Sequence, residues 1–180
     1  MRTSSIRAAI VAAVITVGSL LGAGSASAAT VAEKDPVFAP TSGQTTMSVL
    51  VTKLTHAQAT ARFRDAGITW SSSGNCSNRN NSTCTSFEQI NLATVQGAET
   101  LKRACGCSLN ITGGTETGHA SGTYSHWNGY KLDFTKYSGI GNYIHNNFTY
   151  IGGSKWQAAS GNIYYDEVNH WDVTFYSCGC

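Results

Sequence analysis

Beyond Ala29 the chain has no long apolar run, so nothing after that point reaches the roughly 20 apolar residues that a membrane-spanning helix needs. It also lacks an excess of either charge. The whole chain has 12 Lys and Arg against 10 Asp and Glu; its first 29 residues take Arg2 and Arg7 and no acid, leaving ten of each sign. A formally neutral chain gives no electrostatic case for nucleic acid or an anionic membrane as partner. Proline is nearly missing: Pro36 and Pro40 both fall in a polar stretch, residues 30–46, which reads as a flexible N-terminal arm. The Gly/Thr loop at 113–122 has no GK[ST] and no helix start after it, which excludes a phosphate loop. No Cys-x-x-Cys pair occurs, which argues against a four-thiolate zinc site.

What is present begins with a targeting segment. Arg2 and Arg7 precede apolar residues 8–21, and Ala26-Ser27-Ala28 reads as a small-residue cleavage site, with Ala29 an equally good boundary. Residues 1–29 are therefore predicted to be a secretory signal peptide. No Cys follows the cleavage site, so a lipid anchor is not expected. The mature chain is expected to be secreted, extracellular and monomeric. The remaining ~150 residues suffice for one domain with a core, taken as residues 47–180.

Six cysteines in an exported chain imply oxidation. Cys76 and Cys84 bracket a polar loop and can close it. Cys105-Gly106-Cys107 and Cys178-Gly179-Cys180 form two C-x-C units, and pairing between the units is expected rather than within them. The competing reading, a zinc site built from the two units, requires a spacing and a compartment that suit zinc poorly.

The elements follow from periodicity and caps. Thr55-His56-Ala57-Gln58 predicts a helix start, ending near Gly67, with His56 on the surface. Thr85-Ser86-Phe87-Glu88 predicts a second helical region to Cys105, with Thr94 a candidate restart point and Val95, Ala98, Leu101 and Ala104 as core. Strands are expected at 108–112, 130–134, 162–165 and 170–175, with 47–51 a short strand or an extended lead-in and 68–70 running into a Ser/Gly/Asn-rich loop; a short helix is expected around 139–144, and a turn at Gly152-Gly153. This order predicts an α+β fold, a small antiparallel sheet with helices packed on one face.

Two stretches carry candidate chemistry. In Tyr130-Lys131-Leu132-Asp133-Phe134, alternation puts Lys131 and Asp133 on one face. In His170-Trp171-Asp172-Val173-Thr174-Phe175 it puts His170, Asp172 and Thr174 together, with Trp171 and Val173 opposite. Gly129 suits a tight bend returning His126 over that polar surface. Imidazole, carboxylate and imidazole suit zinc, and three protein ligands leave a fourth position for water. Glu167 precedes His170 by three residues, so a turn at Val168-Asn169 must bring both side chains to one side. Trp127 and Trp171 adjoin the histidines, where they either wall a cleft or pack inside. Asp172 is placed to support His170, Asp166 is expected in solvent, and His119 and His145 are read as loop residues, with His119 also a candidate substrate contact.

The spacing His126-x-x-Gly129-x-x-x-Asp133, followed by Glu167-x-x-His170, resembles the D-alanyl-D-alanine carboxypeptidase-like zinc peptidases. These are the peptidase M15 group, related to lysostaphin and hedgehog-type domains. The resemblance is densest from residue 111 to 175. A second Glu-x-x-His, Glu116-Thr117-Gly118-His119, has no matching His and Asp before it. The resemblance implies one zinc ion held by His126, Asp133 and His170 on the sheet face away from the helices, with Glu167 as general base. It implies a secreted zinc metallopeptidase cutting a peptidoglycan stem peptide, as a D-Ala-D-Ala carboxypeptidase or an endopeptidase. Three departures stand out. Lys131 replaces a small residue, Tyr124 replaces a Ser, and the turn Thr112-Gly113-Gly114-Thr115 lacks the family's Arg. Lys131 is the expected substitute cation for substrate. The alternatives are a non-catalytic zinc-stabilised binding domain of the same fold, and a disulfide-stapled structural or inhibitor protein.

Overall fold

The computed structural model describes residues 37–40 and 51–179. The expected signal peptide, most of the arm, residues 47–50 of the lead-in strand and Cys180 lie outside the described residues. The elements run β1 (Lys53–Leu54), α1 (His56–Asp65), β2 (Thr69–Trp70), β3 (Ile90–Asn91), α2 (Leu92–Cys105), β4 (Asn110–Gly113), β5 (Lys131–Thr135), α3 (Ser138–Asn147), β6 (Thr149–Gly152), β7 (Lys155–Gln157), β8 (Ile163–Glu167) and β9 (His170–Thr174). Over the described residues the fold is mixed α+β: three helices with a mostly antiparallel sheet of seven strands in the order β2-β4-β5-β9-β8-β7-β6. Among these, only β2 and β4 pair in parallel. A separate two-stranded sheet joins β1 to β3.

Helix α1 starts on the expected capping box. The Gln58 N–H donates to the Thr55 hydroxyl at 3.2 Å, and the Thr55 N–H donates to the Gln58 side chain at 2.9 Å. The same pattern at Thr85 starts no helix, because tertiary bonds take its groups. The Thr85 hydroxyl donates to the Ser71 carbonyl, the Ser86 N–H to Glu116, and Glu88 accepts from the His56 N–H. Helix α2 begins only at Leu92 and ends at Gly106, whose φ is 58°. His56 is not a bystander. Its ring stacks on Phe87 with centroids 5.3 Å apart, and its Nδ1 accepts from the Phe87 N–H at 3.0 Å. Strands β6 and β7, which alternation did not announce, form a hairpin about the expected Gly152-Gly153 turn.

Alternation along β5 and β9 sorts the core from the polar face. Leu132, Phe134, Trp171 and Val173 are buried with Ile111 of β4 and with Phe63, Val95, Ala98, Leu101, Ile140 and Ile144 from the three helices. Full burial of a side chain of this size stabilises by about 1.5–3 kcal/mol. Lys131, Asp133 and Thr135 project to the opposite face with His170, Asp172 and Thr174, because the register pairs Asp133 with Asp172 and Thr135 with His170.

The disulfides require a correction. Cys76 pairs with Cys84 as expected. Cys105 pairs with Cys107, inside its own unit, so the expected bridges to the second unit are not made. Gly106 supplies the left-handed turn that folds the two thiols toward each other over a separation of two residues. Cys178 is also disulfide-bonded.

Candidate metal centre

The β8–β9 hairpin is the first part of the site. Its turn contains only Val168 and Asn169, and Glu167 and His170 are register partners across it. The expected reversal is there, and it places Glu167 Oε2 3.2 Å from His170 Nε2. Val168 adopts φ 39°, a conformation uncommon for a β-branched residue, and its side chain is 91% exposed at the tip.

The second part comes from β5 and the loop before it. Gly129 adopts φ 78°, and its N–H donates to the His126 carbonyl at 2.8 Å, closing the bend that turns His126 over the sheet. A Cβ at Gly129 would lie 2.7 Å from the Gln89 carbonyl oxygen, so both the dihedral and the space require glycine. Gly113, where β4 slips register against β5, plays a complementary part. A Cβ there would overlap Asp133 Oδ2, so the missing side chain is the room the carboxylate occupies.

These parts converge on one atom, Asp133 Oδ1. His126 Nε2 lies 3.2 Å from it and His170 Nε2 3.5 Å. His126 Nδ1 lies 2.7 Å from the Gly114 carbonyl oxygen, which only accepts, so Nδ1 carries the proton and Nε2 of the neutral ring presents a lone pair. His170 Nδ1 is held in the same way by Asn169 Oδ1 at 2.7 Å. Both imidazoles thus turn electron pairs toward a carboxylate oxygen. His126 Nε2 and Asp133 Oδ1 are buried and form no well-aligned hydrogen bond. Buried acceptors facing each other are costly unless something positive stands between them, and a divalent cation satisfies all three at once. The outer hydrogen bonds, to Gly114 and Asn169, are those that fix the tautomer of metal-binding histidines. Burial pushes the Asp133 carboxyl upward, but the adjacent His126, in its protonated form, with His170 and His119 beside it, outweighs burial and holds it below its ordinary value.

His119 also stands at this site. His119, His126 and Asp133 offer ligand atoms within 4.8 Å of one another, a group that could hold a metal ion. The His119 and His126 rings are stacked, however, with centroids 3.8 Å apart and planes 18° from parallel. An imidazole donates in its ring plane, so an ion shared by two stacked rings would lie outside both planes. His170 Nε2, 3.5 Å from the same carboxylate oxygen, is the alternative third donor. Glu116, the acid of the second Glu-x-x-His, accepts from the Ser86 and Gly114 N–H groups at 2.7 and 3.0 Å and lies 3.4 Å from His119. It holds the loop that carries the Gly114 carbonyl.

Lys131 is not at the surface, where a substrate cation was expected. It is fully buried and donates to Asp172, which the register sets directly opposite Asp133. Alternation gave its face correctly but not its depth. Burial pushes the Asp172 carboxyl up to about 6, against the pull of Lys131. Asp172 therefore supports Lys131 rather than His170. Asp166 pairs with Lys136 at 2.5 Å, and His145 lies in α3 against Trp156 and Trp171. The two tryptophans differ: Trp171 is core, whereas Trp127 is exposed beneath the Arg79 guanidinium, 3.7 Å from its ring. Arg79 also donates to the Thr115 carbonyl, which fastens the Cys76–Cys84 loop to the site. No local motif marks Arg79 in the sequence. Comparison with protein-family models, with curated proteins and with solved structures gives no match.

Proposed function

We propose that the chain is a secreted zinc-dependent peptidase hydrolysing peptide bonds in bacterial cell-wall peptidoglycan. One observation carries the chemical part: the Nε2 atoms of His126 and His170 converge on Asp133 Oδ1 at 3.2 and 3.5 Å, with the Glu167 carboxylate 3.2 Å from His170. The substrate class rests on the resemblance of the same residues to the carboxypeptidase-like zinc peptidases. Two imidazoles and a carboxylate suit zinc, and His126, Asp133 and His170 would hold it. Bound there, zinc would supply a Lewis acid for the scissile carbonyl and would lower the pKa of water toward about 7. Glu167 Oε2 takes the proton of the attacking water and delivers it to the leaving amide nitrogen. His126 and His170 keep their Nδ1 protons on Gly114 and Asn169 throughout, so neither competes for that role. With Lys131 in the interior, a terminal carboxylate loses the cation assigned to it, which favours cleavage within a peptide over removal of a terminal residue.

The test is metal analysis of the purified protein, together with digestion of purified peptidoglycan and mass spectrometry of the products. One zinc per chain and new peptide ends are expected. Zinc without turnover would leave a zinc-stabilised binding domain. Neither metal nor turnover would leave a disulfide-stapled structural or inhibitor protein.

A further inference from the structure

Residues 37–40 belong to the stretch expected to be a loose arm, yet they are seated on the face that carries the candidate metal centre. The Phe38 ring meets Tyr165 of β8 edge-on, with centroids 5.7 Å apart. The Lys155 ammonium lies 4.5 Å from the Phe38 ring centroid. The Phe38 carbonyl accepts from the Tyr176 hydroxyl at 2.8 Å. Val37 closes on Gly122, where a Cβ would lie 2.9 Å from its methyl carbon. Three of these four contacts are made to side chains, and the fourth to a glycine, so the seat offers a ring slot, a cation and a hydroxyl donor.

The seat adjoins the chemistry. Tyr165 shares a strand face with Glu167, two residues or about 7 Å along β8. Its register partner is Asp172, whose own partner across β9 and β5 is Asp133, two strand spacings or about 10 Å away. Gly122 lies four residues before His126 in the loop that delivers that histidine. A peptide occupying the seat reaches the centre within about three residues, at about 3.3 Å per residue.

We propose that this seat is a peptide-binding subsite of the site described above, and that residues 37–40 are its built-in occupant. The subsite takes a short peptide with an aromatic or large apolar side chain in the Phe38 slot and a backbone carbonyl on Tyr176. The arm competes with any incoming peptide until it is displaced. This rests on the peptidase reading for its consequence, but its binding part can be measured without turnover.

The probe is a fluorescently labelled peptide with the sequence of residues 36–41, Pro-Val-Phe-Ala-Pro-Thr, titrated by anisotropy against the full chain. A tethered segment acts at an effective concentration of about 1 mM. A probe with intrinsic Kd near 100 μM would therefore bind wild type about tenfold more weakly than Phe38→Ala. Tyr176→Phe, which keeps the ring and removes the donor, should shift affinity in the same direction by less. Phe38→Ala combined with Tyr165→Ala should lose the probe. Equal affinity in wild type and Phe38→Ala, or no binding to either, overturns the proposal and leaves the peptidase reading intact. Displacement without peptidoglycan hydrolysis in any variant overturns the peptidase reading and leaves the subsite. If both hold, Phe38→Ala raises kcat/KM on peptide substrate at unchanged zinc content.

Discussion

Glu167 and His170 face each other across a two-residue turn, with Oε2 and Nε2 3.2 Å apart. A carboxylate and an imidazole nitrogen are thereby held by one hairpin, and their separation is set by backbone register rather than by long-range packing. The chemistry of the two residues can accordingly be separated by mutation.

Replacing Asp133 or His170 by Ala should bring zinc well below one ion per chain, because either change removes a ligand from the set. Asn169→Ala should act one bond further out. It deprives His170 Nδ1 of its partner at 2.7 Å, and loss of such a partner typically weakens metal affinity by about 10–100-fold. Competition against a chelator of known affinity measures both. Full zinc retention in His170→Ala would remove that residue from the ligand set.

Glu167→Gln should retain zinc and the fold, because Gln preserves shape and neither depends on the charge. Turnover of a stem peptide should fall by about 10²–10⁴, the usual contribution of general acid–base catalysis. A rate equal to wild type would leave the proton transfer to another group.

Lys131→Met should destabilise the protein by about 3–5 kcal/mol in urea unfolding, because it leaves the buried Asp172 carboxylate without its cation. The double variant Lys131→Met with Asp172→Leu should recover much of that loss, since removing both members of a buried pair avoids the stranded charge. KM for substrate should not change in the double variant if Lys131 has no substrate contact. A selective rise in KM with zinc and stability intact would return Lys131 to the substrate.

Asp172 should titrate near pH 6 in the chelator-treated protein, read by carboxyl carbon chemical shift, because burial outweighs the pull of Lys131. Removing the ammonium in Lys131→Met removes a cause that lowers the value, so the midpoint should rise. A midpoint near 4 in wild type would mean that water reaches the pair.

Peptide mapping without reduction should find Cys105 bridged to Cys107 and Cys76 to Cys84. On loop length alone, replacing the Cys76–Cys84 pair by serines should cost about 2.5 kcal/mol, and replacing the Cys105–Cys107 pair about 1.5 kcal/mol. Peptides linking the Cys105 unit to Cys178 would contradict the observed pairing.

Much of the site was legible because strand alternation is a strict period. It placed Asp133, His170 and Lys131 on one face and Leu132, Trp171 and Val173 on the other, and Gly129 marked the bend. Alternation reports direction, not depth, which is why Lys131 could be read as a surface cation while it lies in the interior beside Asp172. The box at Thr85 failed for a different reason. Its local bonds were outcompeted by Ser71 and Glu116, distant in sequence, and no local pattern records such partners. Cys76–Cys84 was legible as a closed loop, but the pairing of Cys105 and Cys107 was not, because spacing limits which bridges are possible without choosing among them. The placement of residues 37–40 depends on Tyr165, Tyr176 and Lys155, all more than 100 residues away, and composition alone read the segment as solvated arm.

The opposite projection of Leu132 and Asp133 has a bearing on assembly. Pairing of β5 with β9 buries Phe134, Trp171 and Val173 against the helices on one side and brings Asp133 and His170 to the other, two positions apart in register. The ligand set exists only once strands nearly forty residues apart have docked, and the apolar side drives that docking by itself. An ion captured there arrives at a finished frame instead of nucleating one. Chelation should then empty the centre while leaving the cooperative unfolding transition in place, unlike small domains whose chain stays unfolded until metal binds.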